Sequence, residues 1–300
     1  MYKDFFELRA YPFNVNPDPR YLVLTTDTEE ALACLTYGIE SRKGFVLLTG
    51  EVGTGKTMLL NKLKDWLDER RMPYGFVFNT CLTVPQFFEF LVTDFGIRTN
   101  VQSKSETLLS FYHWLLERYR AGETPVLIVD EAQNLSETVL EEIRLLSNLE
   151  TSTDKLLQIV LVGQPELERT LQLPQLRQLW QRIVLKAKTR PLSPEDTKHY
   201  VEHRLELAGS NGQKIFEPLA LSLVHRYSRG VPRQVNLICD HCLVEAFIEG
   251  RKTVSPEIVQ AIVRDQELDI THSPTSLAID EYDAGSGEEG SRSGDEKRFR

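Results

Sequence analysis

GFVLLTGEVGTGKTMLLNKLKDWL, residues 44–67, is the stretch whose reading decides the fold. It opens on an apolar run, turns through glycines 50, 53 and 55, and leaves on a helical run, TMLLNKLKDWL. Residues 50–57 fit G-x-x-x-x-G-K-[ST], and strand, loop and helix arrive in the order a phosphate-binding loop requires. The glycines let backbone N–H groups turn inward around a phosphate chain, and the helix N-terminus adds favourable partial charge. The expected nucleotide-binding set is Gly50, Glu51, Val52, Gly53, Thr54, Gly55, Lys56, Thr57 and Met58. Lys56 would reach the β- and γ-phosphates, and the Thr57 hydroxyl would bind Mg²⁺.

Outward from this loop the pattern repeats. Apolar or β-branched runs at 74–79, 125–130, 157–163 and 183–190 alternate with longer segments of helical spacing. They read as continuous apolar runs, as strands of a parallel sheet covered on both faces do. An α/β three-layer sandwich is therefore predicted over residues 27–191. After Ser193 and Pro194 the strands stop. Four helical segments follow, near 194–208, 217–228, 232–249 and 255–266, and form a small all-helical unit spanning 192–268. Residues 1–26, with prolines 12, 17 and 19, read as an extended lead-in, and residues 269–300 as a disordered polar tail.

Composition narrows the class. The chain has 300 residues, 41% hydrophobic and 26% charged, which suits a water-soluble protein with a sizeable core. No apolar run spans a bilayer and no leader precedes the first element, so the expected location is the cytoplasm, at most peripheral to an inner-membrane complex. Four cysteines do not make a disulfide framework. A formal net charge of −9 weighs against a surface that grips nucleic acid throughout.

PVLIVDEAQ, residues 125–133, supplies the metal side of the site. A buried strand ends at Asp130, whose carboxylate can hold the Mg²⁺ shell, and Glu131 beside it can polarise the attacking water. Gln164, past the run 157–163, either orients that water or bonds local backbone. Arg233 opens a helix, where a cation opposes the helix dipole, and so hints at a negative partner such as phosphate. A guanine-reading Asn-Lys-x-Asp and a Leu-Ser-Gly-Gly signature are both missing, which disfavours switch GTPases and ABC-type ATPases.

Taken in order, the loop at 50–57, the acidic strand end at 126–131, the polar residue at 164, arginines before the next strand and Gly-x-Pro-Arg at 230–233 resemble an AAA+ ATPase with its helical lid. The wording PFNVNPDPRYL, RKGFVLLTGEVGTGKT, LIVDEAQNL, VLVGQPEL and SRGVPRQVN is similar to the general-secretion-pathway ExeA-type branch, near ATPases of transposition and of exopolysaccharide loci. The resemblance covers roughly residues 2–268. It implies Glu131 as catalytic carboxylate, Gln164 in the sensor 1 place, Arg233 in sensor 2, and residues 11–21 closing over the adenine. It also implies ATP and Mg²⁺ as ligands and a ring or filament of copies of the chain.

In AAA+ rings the arginine finger lies just before the fifth strand, where this chain has LRQLWQRIVL, residues 176–185. On one continuous helix Arg177 and Arg182 would point about 140° apart around an apolar stripe of Leu176, Leu179, Trp180 and Ile183. Arg182 is the first choice for a finger reaching a neighbour's γ-phosphate, with Arg177 supporting it. Two surface arginines solvating an amphipathic helix is the alternative. The C-x-x-C at 239–242 falls on an apolar helix face and reads as packed thiols, and His199 with His203 as a solvated pair. The expected function is Mg²⁺-dependent ATP hydrolysis by an oligomer, driving a protein partner of a secretion or envelope-polysaccharide system. A DNA-bound transposition regulator is the alternative.

Overall fold

The computed structural model describes residues 1–14, 21, 23, 25–78, 82–97 and 103–265. Five strands, β1 (Phe45–Thr49), β2 (Tyr74–Val77), β3 (Val126–Val129), β4 (Gln158–Gly163) and β5 (Ile183–Lys188), form one sheet in the order β2-β3-β4-β1-β5. All four pairings are parallel. Strand side chains alternate between faces, and the sheet separates two cores accordingly. Leu47, Leu127, Val129, Ile159 and Leu161 meet α4 (Val84–Asp94), α5 (Lys104–Arg120) and α6 (Glu137–Leu146) on one side. Val46, Leu48, Val126, Ile128, Val160 and Val162 meet α2 (Thr26–Glu40) and α3 (Lys56–Glu69) on the other. This is the three-layer P-loop sandwich.

The two edge strands depart from the continuous burial expected of them, and in β2 Tyr74 and Phe76 are only half-buried. In β5 Val184, Lys186 and Lys188 are exposed while Ile183 and Ala187 are buried. β5 is an edge strand, so it has a neighbour on one side only, and its lysines discourage pairing with another chain.

Beyond the sheet, α9 (Pro194–Leu207), α10 (Pro218–Ser228), α11 (Pro232–Ile248) and α12 (Pro256–Asp265) each open on a proline, whose missing N–H costs nothing in a first turn. The Ser193 hydroxyl accepts from the Asp196 N–H and caps α9. The expected boundaries of these helices agree with the observed ones to within a residue or so.

The N-terminal reading needs correction. Residues 1–26 are not simply an extended lead-in, because Tyr2–Phe5 form a helical turn, α1. Tyr2, Phe6, Leu8 and Phe13 are buried in the same core as α9–α12, and the Tyr2 hydroxyl donates to Asp240 at 2.5 Å. Burying Phe6 and Phe13 contributes roughly 1.5–3 kcal/mol each, so the first residues help hold the helical unit together. The expected tail, 269–300, lies outside the described residues.

Candidate functional site

β1 lies between β4 and β5 and runs straight into the glycine loop, so the loop emerges at the carboxyl end of the sheet where chain order switches. Gly53 and Gly55 have φ of +82° and +100°, conformations open to glycine at little cost. They wrap the backbone so that α3 starts at Lys56. The Lys56 ammonium is buried and donates to the carbonyls of Gly50 at 2.7 Å and Glu51 at 3.1 Å. Burial pushes its pKa down, opposed by the carboxylates of Glu131, Asp130, Glu51 and Glu166.

A cavity of about 380 Å³ opens over this loop. Its floor is residues 52–58, its side carries Glu131, and its roof is the start of α11 with Arg233. The Arg233 backbone N–H donates to the Gly53 carbonyl at 3.3 Å, so the helical unit rests directly on the phosphate loop. Of the other expected site residues, Gly50 and Glu51 supply the carbonyls that hold Lys56, and neither they nor Asp130 and Gln164 line the cavity.

Asp130 follows β3 and donates its backbone N–H to the Val77 carbonyl at 2.9 Å. Burial raises its pKa above the ordinary value, aided by the Glu131 carboxylate and opposed by the Glu131 N–H, Lys56 and Lys64. Glu131 sits at φ +50°, off the strand line, and its Oε2 accepts from Gln133 Nε2 at 2.5 Å and Gln164 Nε2 at 3.5 Å. Gln164 thus meets Glu131 through its side chain, 33 residues away in the chain.

Another part of the cavity is lined by Tyr200, Arg204 and Asn236, which have no role in the sequence reading. Arg204 of α9 is 4% exposed, and its guanidinium donates to the Pro12 carbonyl at 2.6 Å, the Tyr200 hydroxyl at 2.7 Å and the Asn14 carbonyl at 3.4 Å. It also covers the Tyr21 ring at 4.6 Å, while Tyr200 donates to Asn236 at 3.0 Å. Asn14, Tyr21, Tyr200, Arg204 and Asn236 all line the cavity. The segment 11–21, expected over the adenine, reaches it through Asn14 and Tyr21, and residues 15–20 lie outside the described residues. A charged residue at a buried helix position, four after Tyr200, was the available signal for Arg204.

The two arginines at 177 and 182 lie away from this cavity, and their geometry corrects the single-helix reading. The helix α8 covers only Arg177–Trp180, after a short α7 (Pro165–Leu171) and a 3₁₀ turn at Pro174–Leu176. Arg182 is therefore past the helix end, where its Nη1 donates to Ser147 Oγ at 2.5 Å, Asn148 Oδ1 at 2.7 Å and the Arg144 carbonyl at 3.5 Å. Arg177 is exposed, and its side chain has no hydrogen-bond or ion-pair partner among the described residues, though its carbonyl accepts the Gln181 N–H at 3.0 Å. Cys239 and Cys242 are fully buried in the helical core, and the His199 and His203 rings stack at 5.9 Å. Among the described residues no group of three or more His, Cys, Asp or Glu is arranged around a metal.

No helix among the described residues is long and apolar enough to cross a membrane. Residues 39–171 match the AAA domain family. Over 251 residues the chain is 44% identical to General secretion pathway protein A of Aeromonas hydrophila, covering 83% of this chain and 46% of that protein. It thus spans about half the length of this curated relative. Among solved structures, Cdc6p from Pyrobaculum aerophilum superposes with a TM-score of 0.66 at 18% identity, over 85% of this chain and 70% of that one. The RuvB Holliday junction branch migration motor of Thermotoga maritima superposes with a TM-score of 0.54 at 17% identity, over 80% and 70%. These two show a shared fold. With the phosphate loop, the acidic strand end and the lid contact in place, residues 39–171 match an AAA domain and the chain resembles General secretion pathway protein A.

Proposed function

We propose that the cavity takes ATP with Mg²⁺ and that water is activated there by Glu131. The observation that carries this reading is the convergence of residues 52–58, Glu131 and Arg233 on one cavity with the buried Lys56 in its floor. The loop N–H groups and Lys56 bind and orient the β- and γ-phosphates. Thr57 and Asp130 would hold Mg²⁺, which supplies charge neutralisation between those phosphates when bound. Glu131 takes a proton from the attacking water, Gln164 steadies that carboxylate, and Arg233 reports phosphate to the lid through α11. Asn14, Tyr21 and Tyr200 shape the base end.

Arg182, anchored by one nitrogen on the end of α6, is assigned as the finger that completes the site of a neighbouring copy, with Arg177 beside it. The chain then works as a ring or filament that passes conformational change to a protein partner of a secretion or envelope-polysaccharide system. It would do so in the cytoplasm, peripheral to an inner-membrane complex. The secretion-pathway name of its relative supports that choice of partner.

Equilibrium binding of a fluorescent ATP analogue, beside steady-state turnover with and without duplex DNA, tests this. Lys56→Ala is expected to lose binding, Glu131→Gln to keep it while losing turnover, and DNA to leave the rate unchanged. Turnover that survives Lys56→Ala would sink the site assignment. Strong stimulation by DNA would replace the protein-partner reading with the DNA-bound regulator.

A further inference from the structure

Gln133 touches both sides of the hydrolytic wall. It lies on the 3₁₀ turn Ala132–Asn134 that follows Glu131. Its Nε2 donates to Glu131 Oε2 at 2.5 Å, and its Oε1 accepts the backbone N–H of Gln164 at 3.0 Å. One amide therefore joins the ends of β3 and β4, using its donor on one and its acceptor on the other. It can sit there because residue 163 is glycine: a Cβ at that position would come within 2.7 Å of Gln133 Oε1.

Two features give this bridge a consequence. Glu131 has φ +50°, a backbone conformation that side-chain-bearing residues seldom adopt, and the Gln133 amide spans this turn. Both hydrogen bonds to that carboxylate among the described residues fall on Oε2, from Gln133 and from Gln164. An ionised carboxylate has about two acceptor sites per oxygen. With Oε2 occupied by two amides, Oε1 is the oxygen left to accept a proton from water.

We propose that Gln133 is a positioning residue for hydrolysis, whose amide fixes Glu131 so that Oε1 faces the cavity. This rests on the reading of Glu131 as the water-activating carboxylate. The chemistry is proton transfer alone: the water O–H breaks, Oε1 takes the proton, and Gln133 exchanges nothing. Replacing the amide leaves ATP binding intact, because Gln133 does not line the cavity.

The test is kcat and KM for ATP in the full chain for wild type, Gln133→Met, Gln133→Glu, Glu131→Gln and the double variant Glu131→Gln/Gln133→Met. Methionine keeps the length and removes both polar ends. It is expected to lower kcat about ten-fold or more, the worth of a hydrogen bond to a charged group, with KM within about two-fold. Gln133→Glu should be slower still, since a second carboxylate repels the first. The double variant should be no slower than Glu131→Gln alone, because the amide acts only through that carboxylate. An unchanged or raised kcat in Gln133→Met would overturn the proposal, as would a rise in KM accompanied by a lower melting temperature, or losses that multiply in the double variant. Glu131→Gln at full turnover would instead remove the reading on which the proposal rests, and that arm is separate.

Discussion

The contact between lid and phosphate loop can be isolated by one pair of glycine substitutions. Gly53 and Gly55 both hold left-handed backbone, at φ +82° and +100°, so alanine costs about 1–2 kcal/mol at either from the backbone alone. Their surroundings differ. A Cβ on Gly53 would lie 2.9 Å from Arg233 Cβ and 3.1 Å from Val231 Cγ1, whereas one on Gly55 meets nothing within 4 Å. Arg233 Cβ is fixed to the first turn of α11, so relief requires the helix itself to move, an overpacking cost of typically 1–3 kcal/mol. Gly53→Ala should therefore be less stable than Gly55→Ala by roughly that amount, or about 2–10 °C in melting temperature for a chain of this size. Thermal melts without nucleotide read the difference free of any effect on phosphate binding. The φ of Gly55 is the further from the left-handed minimum, so backbone strain alone would order the two the other way. Equal melting temperatures, or a lower one for Gly55→Ala, would refute the claim that α11 rests on the loop.

Asp130→Asn should raise the melting temperature at pH 7 while abolishing turnover. Burial raises the Asp130 pKa, so the folded state binds its proton more tightly than the unfolded one. Stability is then lost as pH rises from 3.8 through the folded value, and the gain from Asn should vanish below pH 3.8 in melts across pH. Arg204→Leu removes the donor from the Pro12 carbonyl and the Tyr200 hydroxyl, both part of a buried network, and should cost about 2–4 kcal/mol in urea unfolding and raise the KM for ATP. Unchanged stability would mean that Phe6 and Phe13 alone hold the N-terminal segment. Cys239 and Cys242 have thiols raised by burial, the second to about 12, so iodoacetamide at pH 8 should leave both unmodified in the native protein and label both in urea. Rapid native labelling of either would show that α11 opens.

What was legible in the sequence was what neighbours along the chain determine. The phosphate loop is fixed by eight consecutive residues, and the ends of β1, β3 and β4 by apolar runs closed by a threonine, an acid and a glycine. The four lid helices announce themselves by proline starts and apolar spacing. What escaped depends on residues far apart. Tyr2 meets Asp240 across 238 positions, and the prolines at 12, 17 and 19 hid the helical turn that precedes them. Arg204 meets Pro12 across 192 positions, and no local pattern pairs a helix arginine with a distant carbonyl. Gln133 stood in full view beside Glu131, but its role needs the Gln164 backbone, 31 residues on. Around Trp180 the apolar spacing was read correctly, with Leu176, Leu179 and Ile183 buried and Trp180 half-buried, yet the helix stops there so that β5 can begin. The angle between Arg177 and Arg182 therefore cannot be taken from helical periodicity.

The central claim is that another copy's arginine completes each site, and complementation between two inactive variants tests it most directly. Lys56→Ala keeps the arginines and loses nucleotide. Arg177→Ala/Arg182→Ala keeps nucleotide and loses the arginines. Each alone should turn over ATP at a small fraction of the wild-type rate. In an equimolar mixture about one interface in four joins an intact loop to an intact arginine, so activity should recover toward about a quarter of wild type. A mixture no faster than its parts, or an arginine variant that turns over at the wild-type rate, would contradict the account.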